Sequence, residues 1–313
     1  LMCVALGISY RLAFGWTTPL WLDETFTAVI ATTPDFSGLL RWMLGEVSGP
    51  AFYLPAWIFE KLLGDTNVAL RAPWLAASIA TPLFVWWRGH RDAQVRWVWA
   101  ALIALWLPAL GQASEARPYA LLLLLGCLQT MAFVRMMARP ATATALPWAI
   151  VSALAILTHY HAIFIAALQG FFYLALGGRA AWRSWPAAFV FVPVIGWMAV
   201  HLPFVLRLMA PGNTWFPAWT PLDLIAVYAD MVGAGALGVP ILALIVHQNA
   251  QAARALTNGQ PTDYSRGEIA LAASALLAMA IVCVTALVKP SFTPRYLIPA
   301  CPALLYSVAL VAV

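Results

Sequence analysis

The chain has 313 residues, of which 63% are hydrophobic and 9% charged, with a formal net charge of +5. A soluble domain carries about 25% charged residues, so a water-soluble globule is excluded. The apolar residues come in runs near the roughly 20 that cross a bilayer, the mark of a polytopic helical membrane protein. In such a chain basic residues chiefly set topology, so the net charge does not point to nucleic acid, and none is expected as a partner.

The runs predict an all-α integral membrane protein with about ten transmembrane helices, over 1–16, 68–87, 94–111, 118–137, 146–158, 160–177, 186–208, 222–247, 268–288 and 297–313. The fifth and sixth are short and meet at "THYH", which predicts a broken or shallow helix. Residues 24–66 are too polar and interrupted to span. Within them, "DFSGLLRWML" and "AFYLPAWIFEKLL" read as amphipathic helices lying at the interface, rich in Trp, Phe and Tyr. No internal repeat or low-complexity linker divides the chain, so 1–313 is expected to be one transmembrane domain. The first run lacks the basic leader and cleavage site of a signal peptide. It starts abruptly and the last run stops at Val313, which predicts further natural chain at both ends. Cys3, Cys127, Cys283 and Cys301 lie far apart without metal or disulfide spacing and read as small buried hydrophobes.

Charge then orients the spans. With a cytoplasmic N-terminus, the loops 88–96, 135–145, 178–185 and 248–267 are inside and hold nine Arg against two acids, three with Glu268 at the head of the next span. The other side holds the remaining eight basic and nine acidic residues. The positive-inside rule therefore puts Asp23 and Glu24, in "TPLWLDETFTAV", outside the cytoplasm. The same side collects "SGPAFYLP" with Tyr53, "ALRAP" with Arg71, "SEARPY" with Glu115, Arg117 and Tyr119, "THYH" with His159, Tyr160 and His161, and "KPSFTPRY" with Lys289, Arg295 and Tyr296. Each lies at a helix end where apolar sequence resumes. Charge so close to hydrocarbon is costly, which makes pairing or function the default reading. Carboxylates and cations converging on one membrane face suit chemistry on a phosphorylated, lipid-tethered substrate.

The order "WLDE", "GPAFYL", "ALRAP", "SEARPYALLLL", "THYHAIF" and "PRYLIPACPALL" resembles the GT-C glycosyltransferases. The branch it is most similar to contains the protein O-mannosyltransferases and the lipid A aminoarabinose transferase. The resemblance runs from about residue 8 to 310. It rests on order, spacing and common sidedness, since no single motif is specific. It implies an inverting glycosyltransferase, hexosyl or pentosyl, that moves a sugar from a polyprenyl-phosphate donor to an acceptor glycan, lipid or protein among the membrane lipids. It also implies a multi-pass protein of the bacterial inner membrane with its active site facing the periplasm. The resemblance does not reach the soluble outer domain that many members carry after the last span, so the acceptor is not indicated. Some members use a divalent cation, Mg or Mn, and the residues leave that cofactor open.

The family's catalytic Asp lies in its first outer loop, where Asp23 stands. A carboxylate there can take the acceptor's proton, an effect of about 10²–10⁴-fold; the competing reading is an N-cap for a helix starting near Thr25. Glu24, about 100° round such a helix, would orient the acceptor or share the charge. Arg295, Lys289 and Arg117 would hold the donor phosphate, against the alternative that they snorkel to headgroups. Arg71 is expected to pair with Glu46 or Glu60 in a structural role. His159 and His161 lie two residues apart and could share an ion only on an extended backbone. No third ligand has recognisable spacing, so no metal site is expected, and hydrogen bonding to sugar or phosphate stands beside a structural role. Tyr53, Tyr119 and Tyr296 are expected in the aromatic belt, lining the donor site. The rival function is a secondary transporter or lipid flippase. Paired halves with midplane charges would mark a transporter, and the chain shows neither.

Overall fold

The computed structural model describes residues 1–14, 18–208, 219–231, 238–260, 264–288 and 292–313. Lys289 lies outside them. Among the described residues there are helices and no strands; the one β-type contact is an isolated bridge between Ser48 and His159.

The first helix, α1 (Met2–Phe14), is followed by three helices within the interval too polar to span: α2 (Leu22–Ala31), α3 (Phe36–Leu44) and α4 (Pro50–Leu63). Both predicted interfacial helices therefore form. Asp35 starts α3 by accepting the Gly38 amide at 2.7 Å, a standard use of Asp before a helix. Its Phe36, Leu40 and Trp42 stay exposed while Leu39 and Met43 are buried, so the helix is two-faced. The bundle continues through α5 (Asn67–Arg88), α6 (Ala93–Leu105), α7 (Leu107–Gly111), α8 (Tyr119–Ala138), α9 (Thr142–Thr158), α10 (Ala162–Leu176) and α11 (Gly178–Arg183). A 3-10 segment (Trp185–Phe191) then leads into α12 (Val192–Leu208), followed by α13 (Pro221–Asp230), α14 (Gly238–Thr257) and α15 (Arg266–Val288). A 3-10 turn (Pro294–Leu297) precedes α16 (Cys301–Ala312).

The protein is a multi-pass membrane protein. Four helices are by themselves long and apolar enough to cross a bilayer: Asn67–Arg88, Tyr119–Ala138, Trp185–Arg207 and Arg266–Leu287. Shorter apolar helices occupy five of the other predicted spans. The expected span 222–247 falls on two helices, α13 and α14, with 232–237 outside the described residues. The expected span 94–111 is broken at Trp106, whose extended backbone separates α6 from α7 ahead of Pro108.

That break leaves carbonyls at the end of α6 without intrahelical partners, and Arg11 of α1 supplies donors. Its guanidinium bonds the carbonyls of Ala104 at 2.6 Å, Ile103 at 3.3 Å and Gly7 at 2.9 Å, and the Ser78 hydroxyl at 2.8 Å. The residue is 1% exposed. Gly7 permits the close crossing, since a Cβ there would sit 2.3 Å from the Ala104 oxygen.

A small second core of Ile30, Leu39, Phe52, Tyr53, Leu70 and Trp74 joins α2, α3 and α4 to the start of α5. Phe52 packs against Trp74 at 4.5 Å between ring centroids. This core seats the polar α2–α4 layer over one end of the bundle. Gly49 locks it to α9: its amide bonds the Thr158 carbonyl at 3.0 Å, and a Cβ would come within 2.1 Å of the Leu157 oxygen.

Candidate active site

Helix α2 begins at Leu22, three residues before the expected start, so Asp23 is inside its first turn and is not the cap. Glu24 does the capping work instead, accepting the Trp21 amide at 3.2 Å. Successive helical residues point about 100° apart, and the two acids accordingly face different partners. Asp23 Oδ2 accepts from Arg295 Nη2 at 2.6 Å. Glu24 takes a two-pronged contact from Arg71, Nε to Oε1 at 2.7 Å and Nη2 to Oε2 at 2.5 Å, and the Ala116 amide adds a bond at 2.8 Å.

The Glu24–Arg71 pair corrects two expectations. Arg71 meets neither Glu46 nor Glu60; Glu46 accepts from the Tyr53 hydroxyl at 3.2 Å, and Glu60 pairs with Lys61 at 2.6 Å. Arg71 also holds the Thr18 and Pro19 carbonyls, which ties the segment before α2 to α5. Glu24 is fully buried and bonded through both oxygens, so it cannot reach an acceptor in this arrangement. It is the anchor that fixes the direction of its neighbour.

Asp23 and Arg295 retain partial exposure, each side chain at 17%. Arg117 sits behind them, buried, with Nη1 on the Asp23 carbonyl at 3.1 Å. The Nε groups of Arg117 and Arg295 are both buried without a hydrogen-bond partner among the described residues. The Arg295 guanidinium lies between the rings of Trp21 and Tyr119, 5.4 Å from each centroid, within the range at which an aromatic face attracts a cation.

Aromatic rings extend the wall. His161 stacks on Tyr296 at 4.4 Å with 26° between planes, and His159 lies 4.9 Å from Tyr296 and 6.3 Å from Tyr119. His159 does have the extended backbone that the two-residue spacing requires, and the two Nδ1 atoms are 3.4 Å apart. Burial pushes the His159 ring well below its ordinary value, helped by His161, Arg117 and Arg295, and burial lowers His161 to about 4. Both rings are therefore neutral hydrogen-bonding groups at neutral pH. Among the described residues no three carboxylate, histidine or cysteine side chains gather to hold a metal ion.

Asp23, Arg117, Tyr119, His159, His161, Arg295 and Tyr296 thus come together, and Tyr53 joins through Glu46 and a position in the second core. Glu46, bonded to Tyr53, and Glu115 are further acids at this end of the bundle, and the sequence placed Glu115 on the outer side without giving it a role. The signal for Glu115 was its place in "SEARPY", two residues before Arg117.

No protein-family model and no curated protein matches the chain. Solved structures do. ArnT from Cupriavidus metallidurans in the apo state aligns with a TM-score of 0.60 at 15% identity, covering 99% of this chain and 58% of that one. The chain has the ArnT fold. ArnT from the same organism bound to undecaprenyl phosphate aligns equally well, covering 99% of this chain and 59% of the other. The chain thus spans just under three-fifths of the ArnT length. ArnT, a GT-C lipid A aminoarabinose transferase, belongs to the branch that the motif order resembles.

Proposed function

We propose that this protein is an inverting glycosyltransferase that moves a hexosyl or pentosyl unit from a polyprenyl phosphate to an acceptor on the periplasmic face of a bacterial inner membrane. The observation that carries the reading is the pair of buried, unpartnered Nε groups on Arg117 and Arg295, beside a carboxylate that already contacts Arg295. A buried donor without a partner costs about 1–3 kcal/mol, and a phosphate oxygen would supply the partner. The bound undecaprenyl phosphate of the ArnT structure is a ligand of this class.

The surroundings support a lipid tail. A cavity of about 470 Å³ runs between α4, α5, α8 and α9, lined by Pro55, Phe59, Trp74, Leu121 and Leu125, and Thr158 at its margin adjoins His159. An apolar groove of this kind suits an isoprenoid chain, and its Leu121 follows Arg117 by four residues. With phosphate bound, Arg295 turns part of its fork from Asp23 to the anion. Asp23 is then free to accept a hydrogen bond from the acceptor hydroxyl and aim it at the anomeric carbon. As the bond from that carbon to the phosphate breaks, negative charge grows next to Arg295 and Arg117, where fixed donors stabilise it most. Tyr119, Tyr296, His159 and His161 offer the sugar an aromatic wall with neutral hydrogen-bonding edges.

The test is donor turnover by variants. Arg295→Ala should lower kcat, not merely raise KM, because the charge it meets grows in the transition state. Arg295→Lys keeps the charge without the planar fork and should retain part of the rate. Equal turnover per folded molecule in wild type, Lys and Ala variants would remove Arg295 from the site.

A further inference from the structure

The loop between α7 and α8 carries a carboxyl group that the pairs above leave unused. Glu115 stands between two fixed points. The next residue, Ala116, donates its amide to Glu24 at 2.8 Å, and Arg117 reaches the Asp23 carbonyl at 3.1 Å. These contacts hold Glu115 against the first turn of α2. Its Oε2 is buried without a hydrogen-bond partner, and it makes no ion pair among the described residues. Such an oxygen is costly while ionised and loses that cost on taking up a proton.

Asp23 is placed differently. Its Oδ2 is held by Arg295 at 2.6 Å, and the acceptor hydroxyl meets that oxygen once the contact gives way, so Asp23 is placed to orient the hydroxyl while the Glu115 oxygen stands without a partner. Each sugar transferred must dispose of one proton.

Resting on the transfer reading, we propose that Glu115 is the carboxylate on which the acceptor's proton ends. The acceptor oxygen forms its bond to the anomeric carbon while the bond from that carbon to the phosphate oxygen breaks. The electron pair of the broken bond leaves with the polyprenyl phosphate. The hydroxyl proton, oriented by Asp23, passes to Glu115, which later gives it to water. The charges facing Glu115 fit this part. Burial raises its pKa, Glu24 and Asp23 of α2 raise it further, and Arg295 and its own neighbour Arg117 draw it back, leaving it at about 7. A base is most effective when its pKa lies near the working pH.

The experiment is single-turnover transfer from a radiolabelled polyprenyl-phosphate sugar by the purified full chain, with a cell-envelope extract as acceptor, across the neutral pH range. Wild type should speed up through about pH 7 and then level off. Glu115→Gln should lower kcat about 100-fold with donor KM unchanged and the rise near neutrality gone, and Glu115→Asp should recover part of both. Thermal midpoint and undecaprenyl phosphate binding report whether the Gln variant is folded. If it is not, the Asp variant and the infrared titration of the wild-type carboxyl near pH 7 decide the matter. An active wild type with Glu115→Gln keeping more than a third of kcat and the same pH limb overturns the proton role alone. A wild type that moves no sugar from any polyprenyl-phosphate donor overturns the transfer reading, and the proton role falls with it.

Discussion

Asp23 and Glu24 are neighbours in sequence and strangers in the fold. One meets an arginine 272 positions away across a partly open cleft, the other an arginine 47 positions away in a sealed one. A buried ion pair is marginal as a source of stability, but removing one partner strands the other charge, at a cost of about 3–5 kcal/mol. Glu24→Gln should therefore lower thermal stability strongly in detergent, while Asp23→Asn, at the more exposed pair, should leave the midpoint almost unchanged. Comparable melting of the two variants would contradict the division of labour between them. The sequence announced both acids, because two carboxylates beside an apolar run are conspicuous. It could not say which faced solvent, since that depends on where Leu22 starts the helix and on Arg71 arriving from α5. Arg11 was hidden for a related reason: one charge in a long apolar run disappears in the average, although two of its hydrogen bonds clasp α1 to α6 and a third reaches Ser78 of α5.

At the scale of elements, the site depends on the α2–α4 layer being pressed onto the bundle. Gly49 is the tightest point of that contact, with no room for even a methyl group against Leu157. Gly49→Ala should force α4 away from α9, with a stability loss of about 1–3 kcal/mol and a fall in transfer, because the Ser48–His159 bridge and the histidine wall move with it. Unchanged melting and unchanged transfer would show that the contact is slack. The interfacial helices were legible because Trp, Phe and Tyr recur on one face among polar breaks, and spans such as α5, α8 and α15 because they are long and uniformly apolar. The break at Trp106 was less so, since "LWLPAL" is as apolar as a continuous helix and Pro108 is tolerated near a helix start.

At the scale of the molecule, the polar loops sort to two ends. Asp23, Arg117, His159 and Arg295 gather at one end; His90 and Glu268 pair at the other, 3.4 Å apart. The arginine bias predicts that the first end faces outward. In a background with Cys3 replaced by Ser, a cysteine at the exposed position Asp65 should react with an impermeant maleimide in intact cells, and one at Arg91 should react only after lysis. The reverse pattern would turn the site toward the cytoplasm. The fold itself was readable because long apolar runs with charged breaks mark a polytopic helical bundle, which the ArnT structures share at 15% identity, whereas sugar and acceptor leave no such trace in these loops. What the whole molecule does is decided most directly by offering reconstituted protein a radiolabelled polyprenyl-phosphate sugar and an envelope extract. Label should appear on acceptor with release of free polyprenyl phosphate, and Asp23→Asn, though folded, should keep less than about a tenth of that rate, since a misaimed hydroxyl costs on the order of 10²-fold. Movement of the intact lipid across the bilayer without cleavage, or full activity in Asp23→Asn, would contradict the account.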